Sequence, residues 1–495
     1  MNNRRRPVIF PRIFRAFALL GAAALATPAP ARAQGQPPPN VSQPSRPVAQ
    51  APPPTSTFLG GVPSGTPTNT VETITIVAAI VRAMEHNLGV LVAEHAVGRA
   101  QGARWRALAE LLPNINARVG ETRQQINLAA FGFGGGPGSP FGDIPTIIGP
   151  FNVFDARIYL SQSVLNFGAL NDARAEAHNL EAARLTSRSA RDFVIHVAGN
   201  LFVQALAASA RFDAARAQQL TAQALYTQAL DLKQAGVIAG IDVLRAEVQL
   251  NAQTQRATAA SSEFEKTKLQ LARVMGLPLG QAFSLDANLP DLPVADISLD
   301  DAVNGAYKAR PDYQAALERV RAAESARRAV VGDALPSLHV NADYGDIGLS
   351  PGDARGTFSL TGAVNIPIFQ GGRTRGRLLE ADADLRNRRA EAEDLKASIY
   401  YEVRAAFLDL DATAQQLTVA GKARDLAAQQ LAQARDRFAA GVASNIEVVQ
   451  AQDAVAVASE QFIAAQYGYA LAKGAIIRGV GSSEEALRQL LGGSR

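Results

Sequence analysis

The sequence predicts a chain of mixed α and β structure, in which a transmembrane β-barrel continues into a long α-helical coiled-coil barrel. Three observations support this prediction. Two halves of about two hundred residues repeat one another, each half contains two segments that alternate with period two, and each half contains a very long run without proline. Each chain supplies four strands in this interpretation, and a trimer supplies twelve.

The first 33 residues have the layout of a secretory signal peptide, so we expect the protein to be exported. A basic start is followed by an apolar centre at about residues 16–26 and by an Ala-Arg-Ala end before Gln34. The whole chain has 49 basic and 45 acidic residues, and six of the basic residues are arginines of this leader. Removing those six leaves 43 against 45, a net charge near −2, which removes the main support for a nucleic-acid partner.

The composition also limits how the chain can reach a membrane. It contains no cysteine, so we expect no disulfide, no thiolate metal site and no lipid anchor on a cysteine. After the leader, we expect no apolar run to reach the roughly 18–20 residues of a spanning helix, which leaves a β-barrel as the membrane structure. Residues 34–71 are rich in Pro, Ser and Gln, and we expect a disordered tether there.

A tandem repeat organises the rest of the chain. Residues 75–113 align without a gap with residues 298–336 at an offset of 223, and both segments end in Leu-Pro. Further on, the offset falls to 204 at Gly168 and Gly372, because the first half has extra residues in one place. The glycine-rich stretch 131–150 lies there and is expected to be an exposed loop. The predicted units are residues 72–280, residues 281–482 and a short tail at 483–495.

Each repeat contains two predicted strands, with one apolar and one polar face. In the segment that starts at Ser337, residues Leu338, Val340 and Ala342 alternate with polar residues. A half-buried sheet of a soluble protein alternates in the same way, but four such segments in a two-fold repeat favour a transmembrane barrel. The four strands are predicted at about 114–128, 153–166, 337–346 and 356–367.

Long helices follow the strands. Residues 169–235 and 373–440 contain no proline, and each helix would be on the order of 100 Å long. Helices of this length must pack side by side as coiled coils, and the shorter helices 241–276 and 446–478 return along them. Because four strands cannot close a barrel and open edges are forbidden in lipid, we expect a homotrimer.

These features together resemble the TolC-like outer-membrane efflux protein family over about residues 72–482. The matching motifs are the Leu-Pro before each first strand, the sequence NIPIFQGGR after the last strand, and two Ala-Gly turns that lead to an acid. The resemblance implies the exit duct of a tripartite efflux pump, located in the outer membrane of a Gram-negative-type cell with a large periplasmic portion. It also implies a periplasmic adaptor (membrane fusion) protein and an inner-membrane pump as partners.

The turns after the two long helices are the candidate site. In each, a glycine ends one helix, a capping residue (Gly240 or Asn445) begins the next, and an acid follows. An acid in a first turn stabilises any helix by about 0.3–1 kcal/mol. The resemblance instead implies a periplasmic gate, in which three copies of Glu447 form an acidic ring that favours cations. The gate residues are then Asp242, Glu447, Gln450 and Phe438, and the adaptor-docking residues are Gly236, Val237, Gly441 and Val442.

Two gate positions depart from the family pattern. Gln450 stands where a second acid would deepen the ring, and Phe438 stands where a tyrosine hydroxyl would hold the closed state. Closure is therefore expected to depend on packing instead of a latch of ion pairs. The strand-to-helix junctions are expected at Gly168, Pro367, Gly371 and Gly372.

Three alternatives remain open from the sequence: an outer-membrane channel for type I protein secretion, a non-conducting periplasmic coiled-coil scaffold or adaptor, and a periplasmic enzyme. The enzyme lacks support, because the five histidines show no metal-ligand spacing and the glycine-rich loop lacks the Lys-Ser/Thr of a phosphate loop. We therefore expect no catalytic residue, no cofactor and no metal.

Overall fold

The computed structural model describes residues 57–131, 145–288, 298–440, 442 and 444–492. The predicted signal peptide, the first part of the tether (34–56), most of the glycine-rich loop (132–144), Gly441 and the last three residues of the tail lie outside these described residues.

Two similar successions of elements follow one another along the chain. The first contains β1 (Glu72–Ile74), α1 (Ile76–His86), α2 (Leu88–Ala109), β2 (Asn114–Asn127), β3 (Ile147–Leu165), α3 (Phe167–Gln234) and α4 (Gly240–Val274). The second contains β4 (Phe283–Leu285), α5 (Leu299–Ala309), α6 (Pro311–Gly332), β5 (Ser337–Gly348), β6 (Arg355–Asn365), α7 (Arg373–Ala439) and α8 (Asn445–Val480). A last helix, α9 (Ser483–Gly492), occupies the segment predicted only as a tail.

Four of the strands form one antiparallel sheet in the order β2-β3-β5-β6, while β1 and β4 pair separately in parallel. Strand β3 begins at Ile147 and not near residue 153, because residues 147 and 148 pair with the end of β2. The register shifts between Gln124 and Ile126, opposite Gly149 and Pro150. A proline has no N–H for the ladder, so an irregularity in the pairing is expected there.

The long helices α3 and α7 contain 68 and 67 residues, which corresponds to about 100 Å each. Helix α3 contains an 18-residue window that is long and apolar enough to cross a membrane, contrary to the expectation from the sequence. Half of that window is buried within the chain, because residues such as Val194, Ala198 and Phe202 form a core with α1, the end of α4 and α9. Its hydrophobicity therefore has an explanation in helix packing.

Residues 57–71 were expected to be part of a disordered tether, and this prediction is wrong for the described part. These residues form a strap across the corner between α1 and α2. The Phe58 ring meets Phe193 edge to face at 4.8 Å, and its carbonyl accepts a hydrogen bond from Asn87 Nδ2 at 2.7 Å. The N–H of Val62 donates to the carbonyl of His86 at 2.8 Å. Apolar side chains scattered among the prolines supply packing that the overall composition did not reveal.

The corner between α5 and α6 contains a buried ionic network. Arg310 is only 4% exposed. Its guanidinium donates two hydrogen bonds to Asp312, at 3.1 and 2.6 Å, and a third to Glu402 of α7 at 2.7 Å. The network therefore fixes the α5–α6 corner to the long helix α7.

Candidate functional site: the helix turns and the strand-to-helix junctions

The turn after α3 is closed by backbone hydrogen bonds. Gly236 has φ of +73°, a region that favours glycine. Its N–H donates to the carbonyl of Lys233 at 3.0 Å, and the N–H of Val237 donates to the carbonyl of Leu232 at 2.9 Å. This pair of bonds is the Schellman motif, which satisfies the last carbonyls of a helix. The side chain of Val237 is left exposed to solvent.

The turn after α7 repeats this arrangement in its described residues. The N–H of Ala440 donates to the carbonyl of Asp436 at 3.0 Å, and the N–H of Val442 donates to the carbonyl of Arg437 at 3.0 Å. Val442 is exposed, as Val237 is in the first turn. Leu225 of α3 packs on the cluster that contains Val448 of α8, so both turns lie at the same end of the helices.

The predicted helix caps are wrong by one residue in each turn. The N-cap residues are Ala239 and Ser444, both in extended conformation, and neither makes a side-chain capping bond. Gly240 and Asn445 are instead the first residues of α4 and α8. The position at which each helix starts is therefore set by the extended backbone of the turn. It is not set by a side-chain capping bond.

Both acids of the turns have a basic partner in the same chain. Asp242 accepts a hydrogen bond from Arg245 at 3.1 Å, and Glu447 lies 3.3 Å from Arg437, in the last turn of α7. These groups are about a quarter to a half exposed, and pairs of this kind contribute about 0.2–1 kcal/mol each. Arg437 was not predicted as part of this site, although it lies only ten residues before Glu447 across the turn.

The other two predicted gate residues lie on different surfaces. Phe438 is partly buried and packs on the cluster of Ala434, Val448 and Ala451. Gln450 is exposed on α8. The described residues thus show an apolar contact between α7 and α8 directly beside the Arg437–Glu447 ion pair.

The first strand-to-helix junction differs from the prediction. The side chain of Asn166 accepts a hydrogen bond from the N–H of Ala169 at 3.0 Å, so α3 begins two residues early, at Phe167. Gly168 is therefore helical and buried, and a Cβ there would lie 2.0 Å from Asp333 Oδ1 at the end of α6. This glycine therefore lies in a helix at a close approach to the end of α6, and not in a turn; the atom that its Cβ would meet is the end of the Asp333 side chain, which can move.

The second junction uses glycine in the predicted way. Gly371 and Gly372 have φ of +60° and +84°, and no atom lies near enough to limit a side chain at either position. The left-handed backbone is the reason for glycine here. Pro367 lies in an irregular linker, residues 366–372, which joins β6 to α7.

The sheet above these junctions has two distinct faces. Directly paired residues share a face. One row of pairs contains Ala117, Ile158, Tyr344 and Phe358, and the next contains Ile115, Leu160, Ala342 and Leu360. On the opposite face, Arg157 donates to Asp155 at 2.7 Å and to Asp343 at 2.8 Å, and Ser161 donates to Asn341 at 2.9 Å. One face is therefore apolar and the other is polar and hydrogen-bonded.

Comparison with known proteins gives consistent results. A model of the outer membrane efflux protein family matches residues 79–277 and 302–493. The pyoverdine export outer membrane protein OpmQ of Pseudomonas putida is 23% identical over 417 residues, which cover 82% of this chain and 85% of that protein. The toluene efflux pump outer membrane protein TtgF of Pseudomonas putida is 26% identical over 379 residues, which cover 71% of this chain and 72% of that protein.

Solved structures show the same fold. The Campylobacter jejuni CmeC outer membrane channel has a TM-score of 0.72 at 17% identity, covering 89% of this chain and 95% of that one. The open state of the Neisseria gonorrhoeae MtrE outer membrane channel has a TM-score of 0.71 at 17% identity, covering 82% of this chain and 89% of that one. The resemblance drawn from the motifs is confirmed, and with it a location in the outer membrane: this chain belongs to the outer membrane efflux protein family.

Proposed function

We propose that three copies of this chain close a twelve-stranded barrel, which continues through the long helices into a tunnel. This assembly is a passive exit duct. It receives its substrate from a periplasmic adaptor and an inner-membrane pump, and the chain itself carries out no chemical step.

The observation that carries this proposal is the two-faced sheet with open edges. Within the described residues, strands β2 and β6 each have a neighbour on one side only. Unpaired backbone groups are too costly in lipid to stay open, and four strands are too few to close on themselves. Further copies therefore supply the missing strands, with the apolar face towards lipid and the polar face around Arg157 towards the lumen.

The repeat in the sequence has support from both the structure and the family model. The offset of 223 aligns Thr75 with Ser298, and each caps its helix by accepting a hydrogen bond from the backbone N–H three residues later. The family model also matches each half separately. Six similar units around the axis would then form the trimer.

Small organic molecules are the proposed substrates. The two relatives described above are named for pyoverdine export and toluene efflux, and neither name refers to protein secretion. A non-conducting scaffold would have no use for a sheet with one apolar face and one polar face. The type I secretion channel and the periplasmic scaffold are therefore the less favoured candidates.

We propose that the two helix turns form the periplasmic mouth of the duct. The exposed Val237 and Val442 offer apolar contacts to an adaptor, and Phe438 contributes to closure by packing. Because Arg437 lies beside Glu447, the proposed acidic ring is partly neutralised. The mouth then prefers cations only modestly.

Single-channel conductance in a planar bilayer tests this proposal. We expect small currents with a modest cation preference, weakened in Glu447→Ala and strengthened in Arg437→Ala. The matched controls are Glu391→Ala and Arg388→Ala, which remove an exposed pair of 2.9 Å on the same helix α7, far from the turn. Their selectivity should equal that of the unsubstituted protein.

Two results would contradict the proposal in different ways. If the protein enters the bilayer only as a monomer or does not enter it, the trimeric barrel is wrong. If it conducts and neither turn variant changes selectivity, the duct stands and the role of Glu447 at its mouth is wrong.

A further inference from the structure

The linker between β6 and α7 contains the two most exposed large apolar side chains of the described residues. Ile368 is 94% exposed and Phe369 is 88% exposed. Adjacent large apolar groups in water are unfavourable, and such a surface indicates a partner. The structure of the surrounding residues indicates which partner it is.

This apolar surface continues the apolar face of the sheet. Along β6, the exposed large residues Phe358, Leu360 and Val364 recur at even positions, and Ile366 and Ile368 extend the same period beyond the strand. The last paired residues of β5 and β6 at this end are Ser337 and Asn365. The linker therefore carries the proposed lipid-facing surface past the end of the barrel, to the level where a bilayer meets water.

Two arginines follow directly. Arg373 and Arg375 are exposed, and neither side chain has a hydrogen bond or an ion pair within the described residues. Arg377, two residues later, differs because it bonds to Asp333 at 3.0 Å. Helix stability does not explain the first two arginines, since the macrodipole favours acids in a first turn.

The corner holds the apolar and basic groups in a fixed arrangement. Gly371 and Gly372 turn the chain, and the N–H of Arg373 donates to the carbonyl of Gln370 at 3.1 Å. Thr374 Oγ1 donates to Gln370 Oε1 at 2.7 Å. Side chains of a first helical turn lean towards the N-terminus. The two guanidinium groups therefore lean back towards the linker and the sheet.

The equivalent place in the first half of the chain lacks this combination. Strand β3 passes into α3 through Asn166 without a linker, Phe167 is much less exposed than Phe369, and the first charged residue is Asp172. The apolar and basic surface thus belongs to the second junction alone and does not follow from the general design of a strand that leads into a helix.

We propose that residues 366–375 form a binding site for anionic phospholipid at the leaflet that faces the helices, with Ile368 and Phe369 in the acyl boundary and Arg373 and Arg375 on the phosphate. The proposal rests on the proposed function, which places the sheet in the membrane. An arginine fork fits a phosphate through paired hydrogen bonds. Each arginine near an anionic surface is expected to favour the anionic lipid about fivefold at low salt.

Quenching of tryptophan fluorescence by brominated lipid tests the site in the full chain. The only native tryptophan, Trp105, is replaced by Phe, and Phe369→Trp places the probe in the linker. The protein is reconstituted in vesicles of equal parts phosphatidylglycerol and phosphatidylcholine, with only one of the two lipids brominated. We expect stronger quenching by the brominated phosphatidylglycerol, and a smaller difference at high salt.

Adding Arg373→Gln and Arg375→Gln should equalise the quenching by the two lipids. The matched control is Arg188→Gln with Arg216→Gln, which removes two exposed arginines of α3 far from the sheet and should keep the preference. Insertion is scored independently, by flotation of the trimer with the vesicles.

Each outcome then decides between the two proposals. Equal quenching by both lipids before any arginine is replaced overturns the recognition of anionic lipid. Flotation of the trimer without quenching places the linker away from the bilayer and overturns the site while the proposed function stands. Failure to insert overturns both.

Discussion

The buried network at the α5–α6 corner allows a quantitative prediction for Arg310→Met. The substitution keeps a long side chain but removes three hydrogen bonds, two to Asp312 and one to Glu402. Breaking a fully buried ion pair by removing one partner costs about 3–5 kcal/mol. The two carboxylates here keep part of their contact with water, so the expected effect is smaller. We expect the substitution to lower the free energy of local opening of the corner by about 2–3 kcal/mol.

Hydrogen exchange measures this local opening directly. A loss of about 2–3 kcal/mol corresponds to exchange that is faster by about 30–150-fold in α5, in the first turns of α6 and in the facing part of α7. The control is Arg404→Met, because Arg404 is exposed on α7 two residues after Glu402 and, within the described part of the chain, donates only to the hydroxyl of Tyr400. Exchange in that variant should match the unsubstituted protein.

The effect of Arg310→Met should also depend on pH. Burial opposes ionisation of Asp312, but hydrogen bonds and attraction from Arg310 outweigh it and lower the pKa of this carboxyl. A carboxyl with a lowered folded-state pKa contributes stability above its unfolded pKa, near 4, and loses it as the pH falls. The difference in exchange rate between Arg310→Met and the unsubstituted protein should therefore become smaller as the pH falls from 7 towards 3. Unchanged exchange in Arg310→Met at pH 7 would refute the reasoning.

Two further predictions concern a glycine and a buried acid. A Cβ at Gly332 would lie 2.6 Å from backbone atoms of the first turn of α3, so Gly332→Ala should destabilise the folded protein by about 1–3 kcal/mol. Gly102 on α2 has open space around it, so Gly102→Ala should stabilise the folded protein by about 0.5–1 kcal/mol. Equal melting temperatures of the two variants would contradict this packing argument. Burial, then repulsion from Glu484 and Asp312, raises the pKa of Asp192 to about 6. The folded state binds a proton on the Asp192 carboxyl at a higher pH than the unfolded state does, so the melting temperature should rise as the pH falls from about 7 to 5. The substitution Asp192→Asn should make the melting temperature less dependent on pH over this range. A melting temperature of the unsubstituted protein that does not change between pH 7 and 5 would contradict this prediction.

Local patterns predicted the long elements well, since these depend on neighbours along the chain. The absence of proline and the abundance of Ala, Leu and Gln are sufficient for α3 and α7, and period-two alternation is sufficient for β5 and β6. Boundaries were less accurate where a particular side chain or turn decides them. Asn166 starts α3 two residues before the predicted position, because its capping bond reaches Ala169.

Contacts between distant parts of the chain were not predicted. The strap at residues 57–71 was read only as Pro-rich, although Phe58 packs on Phe193, which lies 135 residues away. Arg437 was missed beside Glu447 because the ion pair forms only once the turn brings α7 and α8 together. Such pairs have no fixed spacing in a sequence, so a pattern search has nothing to detect.

The two halves differ most where equivalent positions meet different surroundings. The offset of 223 aligns Asn87 with Arg310, and each is buried at the corner between two helices. Asn87 donates to the carbonyl of Phe58 in the strap, whereas Arg310 binds Glu402 of α7. A neutral amide is sufficient where the partner is a backbone carbonyl, whereas the buried guanidinium of Arg310 needs carboxylates beside it, and Asp312 and Glu402 supply them. The choice of residue at this one position therefore follows from the partner that packs over it, and a half-chain model built from either repeat alone would place the wrong group there.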